Sequence, residues 1–163
     1  MAKTDILEEI EEKTQEKTQK FLLFPLAEET YGLSISHIIN IIEIQKITVV
    51  PEMPPFLKGV INLRGQVIPV MDLRLRFGLN ERPYDDRTCI IIIQRENTVL
   101  GLIVDTVAEV ISIEESQIVD QHDSKKSSID VEYLDSLAKV GDSVYLLLST
   151  QELLKKAGEW SQN

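Results

Sequence analysis

The side chains able to do covalent or metal chemistry in this chain are few, and their spacing assembles none of them into a working set. Two histidines, His37 and His122, and one cysteine, Cys89, stand in 163 residues. His37 lies in an apolar stretch and His122 in a polar one. Neither belongs to a His-x3-His pair, and no Cys-x2-Cys offers a second pair of metal ligands. Gly59, Gly65 and Gly78 match neither the GxGxxG nor the Walker spacing that turns backbone N–H groups toward phosphate. The acid pairs Glu28-Glu29, Asp85-Asp86 and Glu114-Glu115 fall at turn signals, where solvated charge is sufficient explanation. This inventory predicts no catalytic residue, no metal and no cofactor. Cys89 opens the apolar run Ile90 to Ile93 and is expected to be a buried, reduced thiol, as in the cytosol.

Arg64 stands apart from these. It sits in Leu57-Lys58-Gly59-Val60-Ile61-Asn62-Leu63-Arg64-Gly65-Gln66-Val67-Ile68-Pro69-Val70-Met71-Asp72, an apolar strand, a turn and a second apolar strand. A hairpin-tip arginine has two readings. It can point into water, where a surface ion pair contributes only ~0–1 kcal/mol. Alternatively its guanidinium lies over a groove and gives forked hydrogen bonds to a partner helix or a neighbouring acid. With no reactive group in reach, the segment points to docking. Val60, Ile61 and Leu63 read as core, some of them lining any apolar groove that receives a partner.

Those residues need a scaffold, and composition says of what kind. The chain is 43% hydrophobic but only 6% aromatic, so aliphatic side chains must build the core, which favours sheet. Formal net charge is −10, which argues against nucleic acid, because such binding needs clustered cations that release counterions from phosphates. No run approaches the ~18 apolar residues of a membrane span. The N-terminus has no apolar signal region.

An internal repeat organises the rest. Phe21-Leu22-Leu23-Phe24 and Tyr31-Gly32-Leu33 align with Ile90-Ile91-Ile92-Ile93 and Leu100-Gly101-Leu102. Ile38 to Ile44 aligns with Val107 to Ile113, with Ser36 facing Asp105, His37 facing Thr106 and Asn40 facing Glu109. At a slightly larger offset, Phe56-Leu57 corresponds to Tyr133-Leu134 and Val67 to Met71 corresponds to Val144 to Leu148. The turn Arg64-Gly65 becomes Gly141-Asp142, and a polar loop at 120–128 holds the extra length. Each unit reads as strand, turn, strand, bent strand, loop and hairpin, and about five strands suit a small barrel without exposed edges. Asp72 is expected to cap a helix Leu73–Phe77 ended by Gly78. Ser149 with Glu152 is expected to open a second, Thr150–Ala157, ended by Gly158. The expected division is a flexible or helical tail at 1–20, a first barrel at 21–88, a second at 89–150, and a C-terminal helix and tail at 151–163. Strands exchanged between the barrels are allowed for.

These motifs resemble a known family. Tyr31-Gly32-Leu33, Phe56 to Gly65, Val67 to Arg74, Gly101-Leu102-Ile103-Val104-Asp105 and Leu134 to Gly141 are similar to CheW, the coupling proteins of bacterial chemotaxis, across residues 20–157. The resemblance implies a mainly β fold of two SH3-like five-stranded barrels packed side by side, with short helices. It also implies a non-enzymatic, cytoplasmic adaptor between methyl-accepting chemoreceptors and the regulatory domain of the histidine kinase CheA, touching the membrane only through the receptors. On that analogy Ile38, Asn40, Leu63 and Arg64 border the receptor site, and end strands of the second barrel meet the kinase. Family members often carry a glutamate where this chain has Asn40, so Arg64 is left to engage Glu43 or an acid on the receptor. The chain ends within a few residues of its last helix, which reads as a standalone adaptor. The alternative is a CheW-like module of another signalling array or of a CheV-type protein.

Overall fold

A computed structural model describes residues 18–120 and 131–161. His122, nearly all of the polar loop and most of the expected tail at 1–20 lie outside the described residues. The last residues of that tail, Thr18 to Lys20, open the first strand. The elements run β1 (Thr18–Leu26), β2 (Glu29–Ser34), a 3-10 turn (Ile35–His37), β3 (Ile38–Glu43), β4 (Leu57–Leu63), β5 (Gln66–Asp72) and α1 (Leu73–Arg76). The order then recurs as β6 (Cys89–Arg95), β7 (Thr98–Val104), β8 (Glu109–Glu114), a 3-10 turn (Glu115–Gln117), β9 (Ile118–Asp120), a 3-10 turn (Val131–Tyr133), β10 (Leu134–Val140), β11 (Ser143–Leu148) and α2 (Thr150–Ser161). Hairpin, bent strand, hairpin and helix thus repeat as the sequence does.

Two sheets form, ordered β3-β6-β7-β5-β4 and β8-β1-β2-β11-β10-β9. Each curls on itself. In barrel one (β3 to β7) the chain beyond β3 returns to β4, where Thr48 and Val60 exchange N–H···O bonds of 2.8 and 2.9 Å. In barrel two (β1, β2 and β8 to β11) β8 passes through the 3-10 turn into β9, which pairs with β10. With β8 and β9 counted as one bent strand, each barrel has five, the SH3-like arrangement.

Neither barrel is made of one sequence half. The hairpin β1–β2 joins β8 to β11, and the hairpin β6–β7 joins β3 to β5. The exchange is sealed by two equivalent parallel pairs. Tyr31 and Gly32 of β2 lie opposite Leu146 and Leu147 of β11, while Gly101 and Leu102 of β7 lie opposite Val70 and Met71 of β5. A division at 88/89 follows the repeat and not the barrels.

The exchange explains the unbroken isoleucine run. Ile90 and Ile92 fill the interior of barrel one with Ile61, Ile68 and Val70. Ile91 and Ile93 face the other way, into a larger cluster between the barrels that includes Leu22, Phe24, Tyr31 and Leu146. A strand covered on both faces needs no polar alternation. At the parallel pairs the chain must be thin: a Cβ on Gly32 would stand 2.8 Å from Leu147 Cδ2, and one on Gly101 2.9 Å from Val70 Cγ1.

Both helices begin as their caps require. Asp72 accepts from the Leu75 N–H, and α1 closes with Gly78 N–H on Leu75 O and Leu79 N–H on Arg74 O, a Schellman closure with Gly78 at φ 76°. Phe77 is the C-cap and not part of the helix. Ser149 Oγ accepts from the Glu152 N–H, while its own N–H is taken by Tyr133 O. Gly158 does not end α2, which continues to Ser161; a single interior glycine costs about 1 kcal/mol, too little to stop it.

Candidate functional site

The β4–β5 hairpin turns on two residues. Leu63 pairs with Gln66, and both residues between them have positive φ, Arg64 at 53° and Gly65 at 84°. That is the combination a type I′ turn demands and whose twist matches the strands. Glycine takes it freely; an arginine there is uncommon. Asn62 Oδ1 secures the turn by accepting the Gly65 N–H at 3.0 Å. The Arg64 side chain is exposed and makes no hydrogen bond or ion pair among the described residues. Val67 beside it is 64% exposed.

The other expected site residues lie on β3 and at the end of β4. Ile38 faces Ile93 and Asn40 faces Ile92, so a bulge falls between them. Past it, half-buried Asn40 and Ile42 alternate with exposed Ile41 and Glu43, and Ile39 at the bulge also points outward. Asn40 Oδ1 accepts the Ile41 N–H at 2.9 Å, and Asn40 makes no bond to Arg64 among the described residues. Glu43 does not take its place as a partner among the described residues. Ile38 packs against the cluster between the barrels, whereas Leu63 packs inside barrel one. The closure of barrel one brings the β3 end and β4 together, with Gln45 Nε2 donating to Asn62 O at 3.3 Å. The four residues therefore border one closed barrel without forming one bonded cluster.

His37, which lies in an apolar stretch of the sequence, sits in the 3-10 turn and shares a hydrogen bond of 3.0 Å between its Nδ1 and Thr150 Oγ1. Cys89, the first residue of β6, is half-buried and not fully enclosed; its thiol donates to Arg87 O at 3.3 Å. Desolvation, then the nearby Glu43 charge, pushes that thiol above its ordinary pKa. Among the described residues no group of three or more His, Cys, Asp and Glu is placed to hold a metal ion. No described helix is long and apolar enough to cross a membrane.

Two arginines and two acids brace barrel one, and their roles were not legible in the motif strings. Arg74 Nε meets both Asp105 oxygens at 2.8 and 2.9 Å, and its Nη1 donates to Asn80 O. The hydrogen bond that Arg74 donates to the Asp105 carboxylate is the main reason its guanidinium is held above its usual range. Arg82 adds a 3.2 Å bond to Asp105. Asp72, buried, accepts from the Tyr84 hydroxyl at 2.7 Å as well as capping α1. Burial, then the Asp72 contact, raises the Tyr84 pKa. The segment Asn80 to Arg87 is thereby strapped to the barrel. Arg76 lies between the rings of Phe56 and Tyr133 at the junction of the barrels. Its only warning in the sequence is that the matching position of the second repeat holds Leu153.

The family described as the CheW-like domain matches residues 20–158 of this chain. The chemotaxis protein CheW of Klebsiella aerogenes is 34% identical over 136 residues, spanning 83% of this chain and 81% of that protein. The CheW of Bacillus subtilis is 34% identical over 143 residues, 88% of this chain and 91% of that one. Among solved structures, the scaffolding protein TtCheW from Thermoanaerobacter tengcongensis superposes with a TM-score of 0.75 at 39% identity, covering 80% of this chain and 88% of that chain.

Proposed function

The chain belongs to the CheW family of chemotaxis scaffold proteins, and from that premise we propose that it is a non-enzymatic adaptor coupling methyl-accepting chemoreceptors to the histidine kinase CheA. It acts in the cytoplasm, at the inner face of the membrane through the receptors. The observation that carries this reading is the Arg64-Gly65 tip. A guanidinium without a partner among the described residues, on a strained turn beside an exposed valine, is a group prepared for another protein. Arg64 gives forked hydrogen bonds to a receptor acid or helix end. Ile38, Asn40 and Leu63 set the apolar border. The kinase's regulatory domain docks on end strands of barrel two.

The mechanism is mass action. A scaffold that holds receptor and kinase together raises their effective local concentration without bond chemistry. Each contact buries about 800 Å² per partner or less, which suits exchange. Receptor packing then biases the kinase between two activity states. Reconstitution of receptor, kinase and this protein tests the proposal: receptor control of kinase activity should vanish when the chain is omitted, and control that persists refutes it. Arg64→Ala should lower receptor affinity roughly tenfold, about 1.4 kcal/mol, with an unchanged melting temperature. An unchanged affinity would remove Arg64 from the site.

A further inference from the structure

The junction of the barrels gathers most of this chain's scarce rings. Phe24 and Tyr31 stack with centres 5.9 Å apart, Tyr31 and Phe77 approach to 5.4 Å, and Phe77 and Tyr133 to 6.2 Å. The series ends at Arg76, whose guanidinium carbon lies 4.4 Å from the Tyr133 ring centre and 4.7 Å from that of Phe56. Phe24, Tyr31 and Tyr133 belong with barrel two, and Phe56, Arg76 and Phe77 with barrel one. In a protein filled by isoleucine and leucine, planar groups are concentrated where the two barrels meet.

Arg76 is the odd member of the series. Its Nε–H is buried without a hydrogen-bond partner, and no carboxylate pairs with it among the described residues. Its Nη2 donates to the Tyr133 hydroxyl. The orphan Nε–H and the missing counter-charge are both unfavourable for a half-buried cation. The repeat shows that they are not needed for packing: at the spacing that relates Phe56 to Tyr133, the counterpart of Arg76 is Leu153, fully buried. Leucine fills the equivalent place with no orphan donor and no charge.

What a guanidinium adds is orientation. A planar cation between two rings is held in plane and in angle, which an aliphatic side chain or an ammonium does not achieve. We infer that Arg76 is a positioning residue: clamped between Phe56 and Tyr133, it fixes the setting of one barrel against the other, so that a partner on barrel one is held in register with a partner on barrel two. The functional half of this inference rests on the adaptor reading. The geometric half does not.

The test therefore has two arms. In the first, nitroxide labels on Val67→Cys and Val144→Cys, exposed equivalents on the two barrels, report the inter-barrel distance in a Cys89→Ser background. Arg76 itself should give one narrow distribution, and Arg76→Met and Arg76→Lys should both broaden it. Ile92→Val, inside barrel one and away from the junction, should leave it narrow while lowering stability. A distribution equally narrow in the Arg76 variants, or equally broad in Ile92→Val, overturns the clamp. In the second arm, Arg76→Met should keep its separate affinities for receptor and kinase but lose about fivefold or more of receptor control in the ternary assembly. Control that falls only as affinity falls overturns the role in coupling. If the unaltered chain binds neither partner, the adaptor reading fails, and the distance measurement still decides the clamp.

Discussion

Replacing Gly59 by alanine should open barrel one at its closure. A Cβ at that position would stand 2.0 Å from the Thr48 carbonyl oxygen and 2.8 Å from its carbonyl carbon. Both are backbone atoms, so no side-chain rotation relieves the clash. The backbone adds its own objection, since φ at Gly59 is 144°, a region other residues avoid. Relief requires the Thr48 segment to retreat from β4, which breaks the paired bonds of 2.8 and 2.9 Å between Thr48 and Val60. Two hydrogen bonds at about 1 kcal/mol each amount to about 2 kcal/mol, and the strained φ adds about 1–2 kcal/mol. At ~2–4 °C per kcal/mol for a chain of this size, the melting temperature should fall by about 10 °C. Gly65→Ala separates sterics from strain. Its φ is 84° but no atom lies within 4 Å of the added Cβ, so only about 1 kcal/mol, or ~3 °C, is expected. Calorimetry gives the melting temperatures, and amide hydrogen exchange at Thr48 and Val60 reports the closure directly. Equal losses in the two variants, or an unchanged Val60 protection in Gly59→Ala, would refute the reasoning.

Three further outcomes follow from the same structure. Asp105→Asn should cost about 2 kcal/mol, because a pair only 17% and 14% exposed lies between surface and buried behaviour; a double-mutant cycle with Arg74→Met that shows no coupling would dismiss the brace. Alkaline pH should destabilise the fold: burial, then the Glu29 charge, pushes Tyr31 from 10.0 up to about 12, and Tyr84 moves the same way. The unfolded chain releases these protons first, so stability is full below pH 10 and falls as pH rises from there toward 12; equal urea midpoints at pH 9 and pH 11 would contradict this. Cys89, with its thiol pushed up by burial and Glu43, should react with iodoacetamide at pH 8 more slowly in the folded chain than in urea, and equal rates would place it in open water.

Much of the fold could be read from the residues because the repeat is carried by both apolar and polar positions. Turn chemistry was local enough to read as well: Arg64-Gly65, Gly141-Asp142, Asp72 and Ser149 all stand where turns or caps occur. What the sequence left open is pairing over distance. Nothing in Phe21 to Leu33 says whether it will join β3 or β8, since an apolar hairpin fits either barrel, and the parallel pairs that decide it join residues more than thirty positions apart. Side-chain contacts between the two repeats escaped for the same reason. Arg74 with Asp105, and Arg76 with Tyr133, are matched only once the hairpins have exchanged. Asn40 was legible as a departure, but neither the bulge before it nor its bond to the Ile41 N–H is signalled by any periodicity.

Duplication gives this chain two interiors of one kind and two surfaces free to diverge, and the divergence falls at the tips. Val67 and Val144 are equivalent and both exposed, at 64% and 49%. The turns before them are equivalent too, yet one presents Arg64-Gly65 and the other Gly141-Asp142. An apolar strand beside a cation and an apolar strand beside an acid offer similar area and opposite charge. Discrimination is a difference of affinities, and it is widened both by a matched charge facing the right partner and by a like charge facing the wrong one. On the proposed adaptor role, the same barrel used twice would hold two partners apart in identity while the shared junction holds them together in space.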